Sequence, residues 1–246
     1  MNYIEHTGKY FMMLKQVFKK PQRARVFKEA LTREIEELGT KSLGIVMFIS
    51  FFIGGVIALQ TALNLSNPLI PKTLIGFAAK RSIILEFAPT FCSIILAGKV
   101  GSYITSSIGT MRVTEQIDAL EVMGINSLNY LVLPKIIATV FFYPFLITLG
   151  MFLGILGGWV AGNISGLFSS VDYVEGLQAD FDPFLIQYAL IKTIVFAFII
   201  ATVPSYHGYY VTGGSLGVGK ASTQSVVWTI VIIVVANYIL TQMLLT

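Results

Sequence analysis

The sequence predicts an all-α polytopic membrane protein from its composition, its apolar stretches and the uneven placement of its charge. Apolar residues make up 55% of the 246 residues and only 12% are charged, about half the usual fraction for a soluble domain. Five apolar stretches reach the ~20 residues that a bilayer core requires. We therefore expect an N-terminal amphipathic interfacial helix, five transmembrane helices and one short helix at the membrane surface.

The net charge of +4 conceals a basic N-terminal region, residues 1–41. This region holds nine of the 17 Lys and Arg residues: Lys9, Lys15, Lys19, Lys20, Arg23, Arg25, Lys28, Arg33 and Lys41. Apolar side chains follow helical spacing on both sides of Pro21: Tyr10, Phe11, Leu14, Val17 and Phe18 before it, and Phe27, Leu31, Ile35 and Leu38 after it. Basic amphipathic helices lie in the interface of anionic leaflets, which explains this charge better than nucleic-acid binding does. The alternative is a solvated helix that packs on a partner.

Residues 42–246 are predicted to form one membrane domain. Its spans are residues 42–65, 82–106, 135–162, 184–203 and 226–245. With the N-terminus inside, the inner segments hold eleven Lys and Arg, which are the nine above together with Arg112 and Lys220. The outer segments hold only Lys72, Lys80 and Arg81. The positive-inside rule then places the N-terminus in the cytoplasm and the C-terminus outside.

The third span carries a glycine at every fourth position. These residues are Gly150, Gly154, Gly158 and Gly162. All four lie on one face of a helix, where another helix can approach closely. We predict a packing face, used either within the chain or against a second copy.

Two charged residues, Glu86 and Lys192, lie inside otherwise apolar spans, where burying a charge is costly. Glu86 lies about four residues from the outer end of its span and Lys192 about eight from the outer end of its own. At 1.5 Å per residue their depths differ by roughly 6 Å, which a lysine side chain can bridge. We therefore expect the two to meet. Lys99 lies near the end of its span and is expected to reach the head groups.

The polar segment 109–124 separates the second span from the third. Its apolar residues recur at helical spacing: Val113, Ile117, Leu120 and Met123. Thr114 is expected to cap the N-terminus of a short helix, and Gly124 to end it in a left-handed conformation. The rod of about 13 Å is too short and too acidic to cross a bilayer. It should lie on the cytoplasmic side and offer Ile117, Leu120 and Met123 to a partner.

A family resemblance is carried by the segment Gly109-Thr-Met-Arg-Val-Thr-Glu-Gln-Ile-Asp-Ala-Leu-Glu-Val-Met-Gly124, preceded by Leu96-Ala-Gly-Lys-Val-Gly-Ser102. It resembles the signature of MlaE-type permeases, the membrane subunits of ABC transporters that move phospholipid between the membranes of Gram-negative bacteria. The resemblance implies that residues 114–124 are the coupling helix that docks into an ATPase. The implied coupling residues are Thr114, Glu115, Gln116, Ile117, Asp118, Ala119, Leu120, Met123 and Gly124.

A weaker resemblance runs from about residue 40 to the end. Within it, residues 217–227 resemble the family's entry into the last span, which implies a turn at Gly217 and Gly219. Glu86-Phe-Ala-Pro89 and Ile191-Lys192 are similar to family segments whose charged residues line the path of the lipid. The resemblance therefore implies that Glu86 and Lys192 lie on the substrate path. Leu85, Ser107 and Gln224 depart from the family pattern, so no phosphate clamp is expected at those positions.

The resemblance also implies an assembly. The chain would be a non-enzymatic subunit that works as a homodimer in the bacterial inner membrane. Its partners would be a cytoplasmic ATPase, which binds the ATP and Mg, and a periplasmic MCE-domain substrate-binding protein. Phospholipid would be the substrate, and the chain itself would hold no cofactor.

Two other functions remain open on the residues. An ion-coupled secondary transporter could use Glu86 and Lys192 as a proton relay, but no inverted repeat is evident. A non-transporting scaffold has little use for those charges.

No catalytic residue, ATP site or metal site is expected. Gly214-Ser-Leu-Gly-Val-Gly-Lys220 matches part of a phosphate-binding loop, yet Ala221 stands where the Mg-binding Ser or Thr belongs. The outer loop 163–182 is acidic and fits no calcium-loop spacing; its carboxylates are Asp172, Glu175, Asp180 and Asp182.

Overall fold

The computed structural model describes residues 3–19, 24–65, 67, 69–180 and 182–245, and every regular element in them is a helix. The α-helices are α1 Tyr3–Val17, α2 Ala24–Glu34, α3 Leu43–Asn64, α4 Thr73–Ser82, α5 Cys92–Val113, α6 Gln116–Val122, α7 Ser127–Ser165, α8 Ser170–Gln178, α9 Pro183–Tyr209 and α10 Gly214–Leu245. A π-helical segment, Ile35–Gly39, and a 3₁₀ turn, Thr40–Ser42, join α2 to α3. A second π-helical segment, Ile83–Phe91, joins α4 to α5.

Within the described residues, five continuous helical stretches are long and apolar enough to cross a membrane, which confirms the expected number. They are Arg25–Asn64, Thr73–Val113, Ser127–Ser165, Pro183–Tyr209 and Gly214–Leu244. The stretches extend beyond most of the predicted span ends, because hydropathy marks the crossing and not the ends of helical hydrogen bonding. The turn expected at Gly217 and Gly219 is wrong: both residues lie inside α10. The turn lies at Gly213 and Gly214, whose φ angles are 92° and 68°.

By its internal contacts the chain divides into two compact units. Unit 1 contains the chain up to Ser42, Ser93–Tyr143 and Val195–Ile239. Unit 2 contains Leu43–Cys92, Pro144–Ile194 and the chain from Leu240 onward. The division into residues 1–41 and 42–246 remains a prediction.

In unit 1, one face of α1 packs on the chain itself. Met13 and Val17 are fully buried. The Tyr10 hydroxyl lies 2.7 Å from the Thr202 hydroxyl, and the Nδ1 atom of His6 lies 2.8 Å from the Tyr206 hydroxyl. Only part of the apolar stripe of residues 10–18 is thus used for packing on the chain, because Phe11 and Phe18 of that stripe are exposed. The interfacial position of this region remains a prediction. Pro21 lies outside the described residues.

In unit 2, the glycine face of α7 packs against α3. A Cβ atom on Gly54 would overlap the backbone of Gly154, and one on Gly157 would overlap the Phe51 carbonyl. Further along, Gly158 faces the Tyr173 hydroxyl. Burial raises the pKa of Tyr173 to about 12. The predicted face is therefore used within the chain, and Gly157, which lies off the four-residue pattern, contributes to it.

Helix α8 occupies part of the segment 163–182 that the sequence presents as a loop. It packs against α4, because Gly76 and Gly176 let the two backbones approach closely. The Lys80 ammonium donates to the carbonyls of Leu177 at 3.0 Å and Ala179 at 2.7 Å, where α8 ends. A cation suits the carbonyl end of a helix. Nine residues are too few to stand out as a helix in the sequence.

Candidate functional site

Helix α6 is shorter than predicted and begins differently. It starts at Gln116, after Glu115 in a left-handed conformation with φ of 60°. Thr114 is therefore not the N-cap: its hydroxyl donates to the Thr110 carbonyl at 2.9 Å and closes α5. At the other end Gly124 has φ of 75°, the left-handed conformation expected of it.

Side chains from three other helices of unit 1 hold α6 in place. The Glu121 carboxylate accepts hydrogen bonds from the Ser127 hydroxyl at 2.9 Å and the Tyr209 hydroxyl at 2.8 Å. Arg112 at the end of α5 forms an ion pair with Asp118 at 2.6 Å. The sequence does not reveal this network, because Tyr209 lies 88 residues from Glu121 and no local pattern connects them.

The exposed face of α6 also differs from the prediction. Ile117 is fully buried in the chain itself, so its expected place on the docking face is wrong. The apolar side chains that α6 exposes most are Val122 at 89% and Met123 at 65%, while Leu120 is half-buried. The other predicted coupling residues are exposed: Thr114, Glu115, Gln116, Asp118, Ala119 and Gly124.

In unit 2 the structure brings Glu86 and Lys192 together. The Lys192 ammonium lies 2.8 Å from the Glu86 carboxylate and 2.8 Å from the Tyr188 hydroxyl. It also lies 3.4 Å from the Leu85 carbonyl and 3.3 Å from the Thr241 hydroxyl. Its side chain is fully buried, whereas the Glu86 side chain is 38% exposed. The pair is thus buried on one side only.

Local sequence explains this geometry. Pro89 lies inside the π-helical segment and has no backbone N–H to donate within it. In the same segment, the Leu85 carbonyl is one of the acceptors around the Lys192 ammonium. Tyr188 is one turn before Lys192 on α9, so its hydroxyl also points at the ammonium. A buried ammonium requires such a set of acceptors.

Among the remaining residues singled out in the sequence, Lys99 donates to the Lys41 carbonyl. Asp172, Glu175, Asp180 and Asp182 form no cluster that could hold a metal ion, and neither does any other group within the described ranges. Gly214–Lys220 form the first turns of α10.

Comparison with known proteins identifies the family of the chain. A model of the family described as Permease MlaE matches residues 31–243. A Rickettsia bellii protein described as a probable ABC transporter permease is 34% identical over 221 residues, which are 90% of this chain and 85% of that protein. The intermembrane phospholipid transport system permease protein MlaE of Haemophilus influenzae is 30% identical over 239 residues, 95% of this chain and 89% of that protein. The chloroplastic protein TRIGALACTOSYLDIACYLGLYCEROL 1 of Arabidopsis thaliana is 30% identical over 210 residues, 85% of this chain and 60% of that protein. The chain therefore belongs to the MlaE permease family.

Proposed function

We propose that the chain is the permease subunit of an ABC transporter that moves phospholipid between the inner and outer membranes of a Gram-negative cell. A separate ATPase drives it, and the chain itself carries out no chemistry. Family membership and the descriptions of the Rickettsia and Haemophilus relatives support this proposal. The observation that carries it is the one-sided ion pair of Glu86 and Lys192 inside two apolar helices.

The ion pair suits a phosphate-bearing substrate. A lysine ammonium binds a phosphate oxygen with the same charge-assisted hydrogen bonds that it makes to a carboxylate. Because Glu86 is on the exposed side of the pair, its carboxylate can turn away while an incoming phosphate takes its place. Lys192 then never loses an anionic partner, which a buried ammonium cannot do without cost. π-Helical segments such as Ile83–Phe91 are frequent at functional sites.

The rival interpretation is a fixed ion pair that only ties the second span to the fourth. Tyr188 and Thr241 complete the hydrogen bonds of the ammonium, as such a structural role also requires. In this interpretation the Lys192 ammonium binds no lipid phosphate. Co-purified phospholipid and transport by variants of the pair therefore distinguish the two roles.

Helix α6 is proposed as the coupling helix. Val122 and Met123 offer an apolar surface to an ATPase, and Asp118 and Glu121 tie the helix to the ends of α5, α7 and α9. A push on α6 therefore moves three helices of unit 1. In the proposed cycle, ATP closure moves the α6 helices of two copies and changes an apolar cavity between them.

The proposed assembly is a homodimer with an ATPase on the cytoplasmic side and a periplasmic MCE-domain protein. It lies in the bacterial inner membrane, with the N-terminus of each chain in the cytoplasm. ATP and Mg are bound by the ATPase. Ala221, which stands where a phosphate-binding loop has its Mg-binding Ser or Thr, supports this division.

The proposal is tested by affinity purification in mild detergent, with proteins and lipids identified by mass spectrometry. We expect an ATPase and phospholipid to purify with the chain. Met123→Asp on α6 should lose the ATPase, because a carboxylate on the docking face opposes an apolar contact. Val171→Asp on α8 is the matched control, since Val171 is 63% exposed and Met123 65%.

A wild-type chain that purifies without an ATPase, or a Met123→Asp variant that keeps it at full stoichiometry, contradicts the coupling assignment. ATP-independent transport abolished by a proton uncoupler would favour an ion-coupled transporter instead. A purified assembly without bound lipid or transport would favour a scaffold.

A further inference from the structure

Unit 1 contains a second buried ion pair, between Glu34 at the end of α2 and Lys135 in α7. The Lys135 ammonium lies 2.6 Å from Oε1 of Glu34 and 5.2 Å from the centre of the Tyr103 ring. The Lys135 side chain is only 4% exposed, and the Glu34 side chain is 14% exposed. The second carboxylate oxygen, Oε2 of Glu34, is buried and has no hydrogen-bond partner in the part of the chain that the structure describes. Buried carboxylate oxygens are normally satisfied, so this atom requires a donor.

A groove of about 800 Å³ opens beside this pair. Its volume is within the range of pockets that hold small molecules. Helices α2, α5 and α7 line it, and its apolar surface includes Met111, Leu131 and Pro134. The groove therefore has room for a polar group and an apolar wall for what is attached to it.

The charges that line the groove are mixed. Glu29, Glu34 and Glu36 supply three carboxylates, and Arg33 and Lys135 supply two cations. One negative charge is left over, which disfavours a ligand that is purely anionic. The guanidinium of Arg33 forms no ion pair with any described residue. The groove thus presents an unpaired cation and an acceptor without a donor.

We propose that this groove binds the head group of a phospholipid that carries a primary ammonium beside its phosphate, as in phosphatidylethanolamine. The Glu34 side chain turns on binding so that Oε2, which is otherwise buried, accepts from the ammonium, and the phosphate lies against Arg33. A choline head group has no N–H to donate, so it leaves Oε2 unsatisfied. A glycerol head group adds a net negative charge to a groove that already has one. The apolar wall receives the part of the lipid next to the head group.

This site does not depend on the proposed transport function, because Glu34, Arg33 and Lys135 all differ from the residues assigned to the substrate path. Its test is a head-group preference that depends on Glu34 and Arg33, whereas the substrate path is tested through Lys192 and lipid movement. Failure here would leave the transport proposal untouched, and failure of transport would leave this site untouched.

The experiment is native mass spectrometry of the full chain, purified in detergent and offered lipids with identical acyl chains. The probes are phosphatidylethanolamine, phosphatidylcholine and phosphatidylglycerol. We expect the wild type to retain the ethanolamine lipid about tenfold more tightly than either other lipid, as one hydrogen bond to a charged group predicts. Glu34→Gln should lose this preference. The amide is uncharged, and its NH₂ group replaces one of the two carboxylate oxygens that can accept from the ammonium. Glu37→Gln is the matched control, since Glu37 pairs with Lys41 at 2.5 Å and does not line the groove.

Equal retention of the three lipids by the wild type would overturn the proposal. So would an unchanged preference in Glu34→Gln, which would mean that the pair only fixes α2 to α7. If Glu34→Gln fails to fold, Arg33→Gln decides, because Arg33 is exposed and its replacement spares the buried pair. Weaker retention of the ethanolamine lipid by Arg33→Gln supports the site, and undiminished retention overturns it.

Discussion

The two halves of the Glu86–Lys192 pair should differ in what their removal costs. Glu86→Gln leaves a fully buried ammonium without its counter-charge, and removing one partner of a buried pair costs about 3–5 kcal/mol of unfolding free energy. Lys192→Met leaves a carboxylate whose side chain is 38% exposed and can reach a polar environment, so the cost falls to about 1–3 kcal/mol. Removing both charges together should restore most of the stability, because no unpaired charge then remains buried.

Thermal unfolding in detergent measures these differences. A gap of about 2 kcal/mol between the two single variants corresponds to roughly 4–8 °C in Tm for a chain of this size. We expect Glu86→Gln to melt lowest, Lys192→Met to melt higher, and the double variant to melt highest of the three. If Lys192→Met is as unstable as Glu86→Gln, or if the double variant is no more stable than Glu86→Gln, the one-sided burial does not govern the energetics.

The same pair tests the role in transport. Lys192→Met should assemble but carry less co-purified phospholipid. Exchanging the charges, Glu86→Lys with Lys192→Glu, should restore assembly and not transport if the ammonium binds phosphate. A swapped protein that transports normally would mean a structural pair, and a fully active Lys192→Met variant would exclude both roles.

Two further predictions concern the packing of α7 on α3 and the hydrogen-bond network around α6. Gly157→Ala should lower the unfolding free energy by about 1–3 kcal/mol, since its Cβ meets the Phe51 carbonyl. By contrast, a Cβ at Gly98 has no atom within 4 Å, so Gly98→Ala should stabilise α5 by about 0.8–1 kcal/mol. Chemical or thermal unfolding compares the two variants. Equal effects would contradict the close crossing of α7 and α3 at Gly157. Tyr209→Phe removes one donor to Glu121, so it should bind the ATPase normally yet show reduced lipid-stimulated ATP hydrolysis in proteoliposomes. Unchanged stimulation would mean that Tyr209 does not transmit the movement of α6.

The spans and the contact of the two intramembrane charges could be predicted because the bilayer constrains both. Apolar length identifies a crossing, and the cost of a buried charge implies that Glu86 and Lys192 need each other. Whether the glycines of α7 face α3 or a second copy could not be predicted, since both partners would use the same surface chemistry.

The details of α6 could not be predicted for a different reason. Ile117, Leu120 and Met123 recur every third residue, which turns Ile117 and Met123 about 120° apart around a helix. Only the tertiary structure decides that the first is covered and the second exposed. The anchor at Tyr209 comes from the far end of another helix. The short helix α8 could not be predicted, because helix propensity over so few residues is weak. Its packing on α4 at Gly76 and Gly176 is tertiary and is not visible in local sequence.

The Lys80 contact with the end of α8 has a consequence for how the chain is made. Lys80 leaves the ribosome 97 residues before Leu177, whose carbonyl accepts a hydrogen bond from the Lys80 ammonium. At ordinary rates of synthesis that interval lasts about 5–20 s. Throughout it, α4 has neither the backbone that packs on Gly76 nor the acceptors for its ammonium. Unit 2 therefore cannot complete its structure when α3 and α4 emerge. These helices pack fully only after α8 has been synthesised.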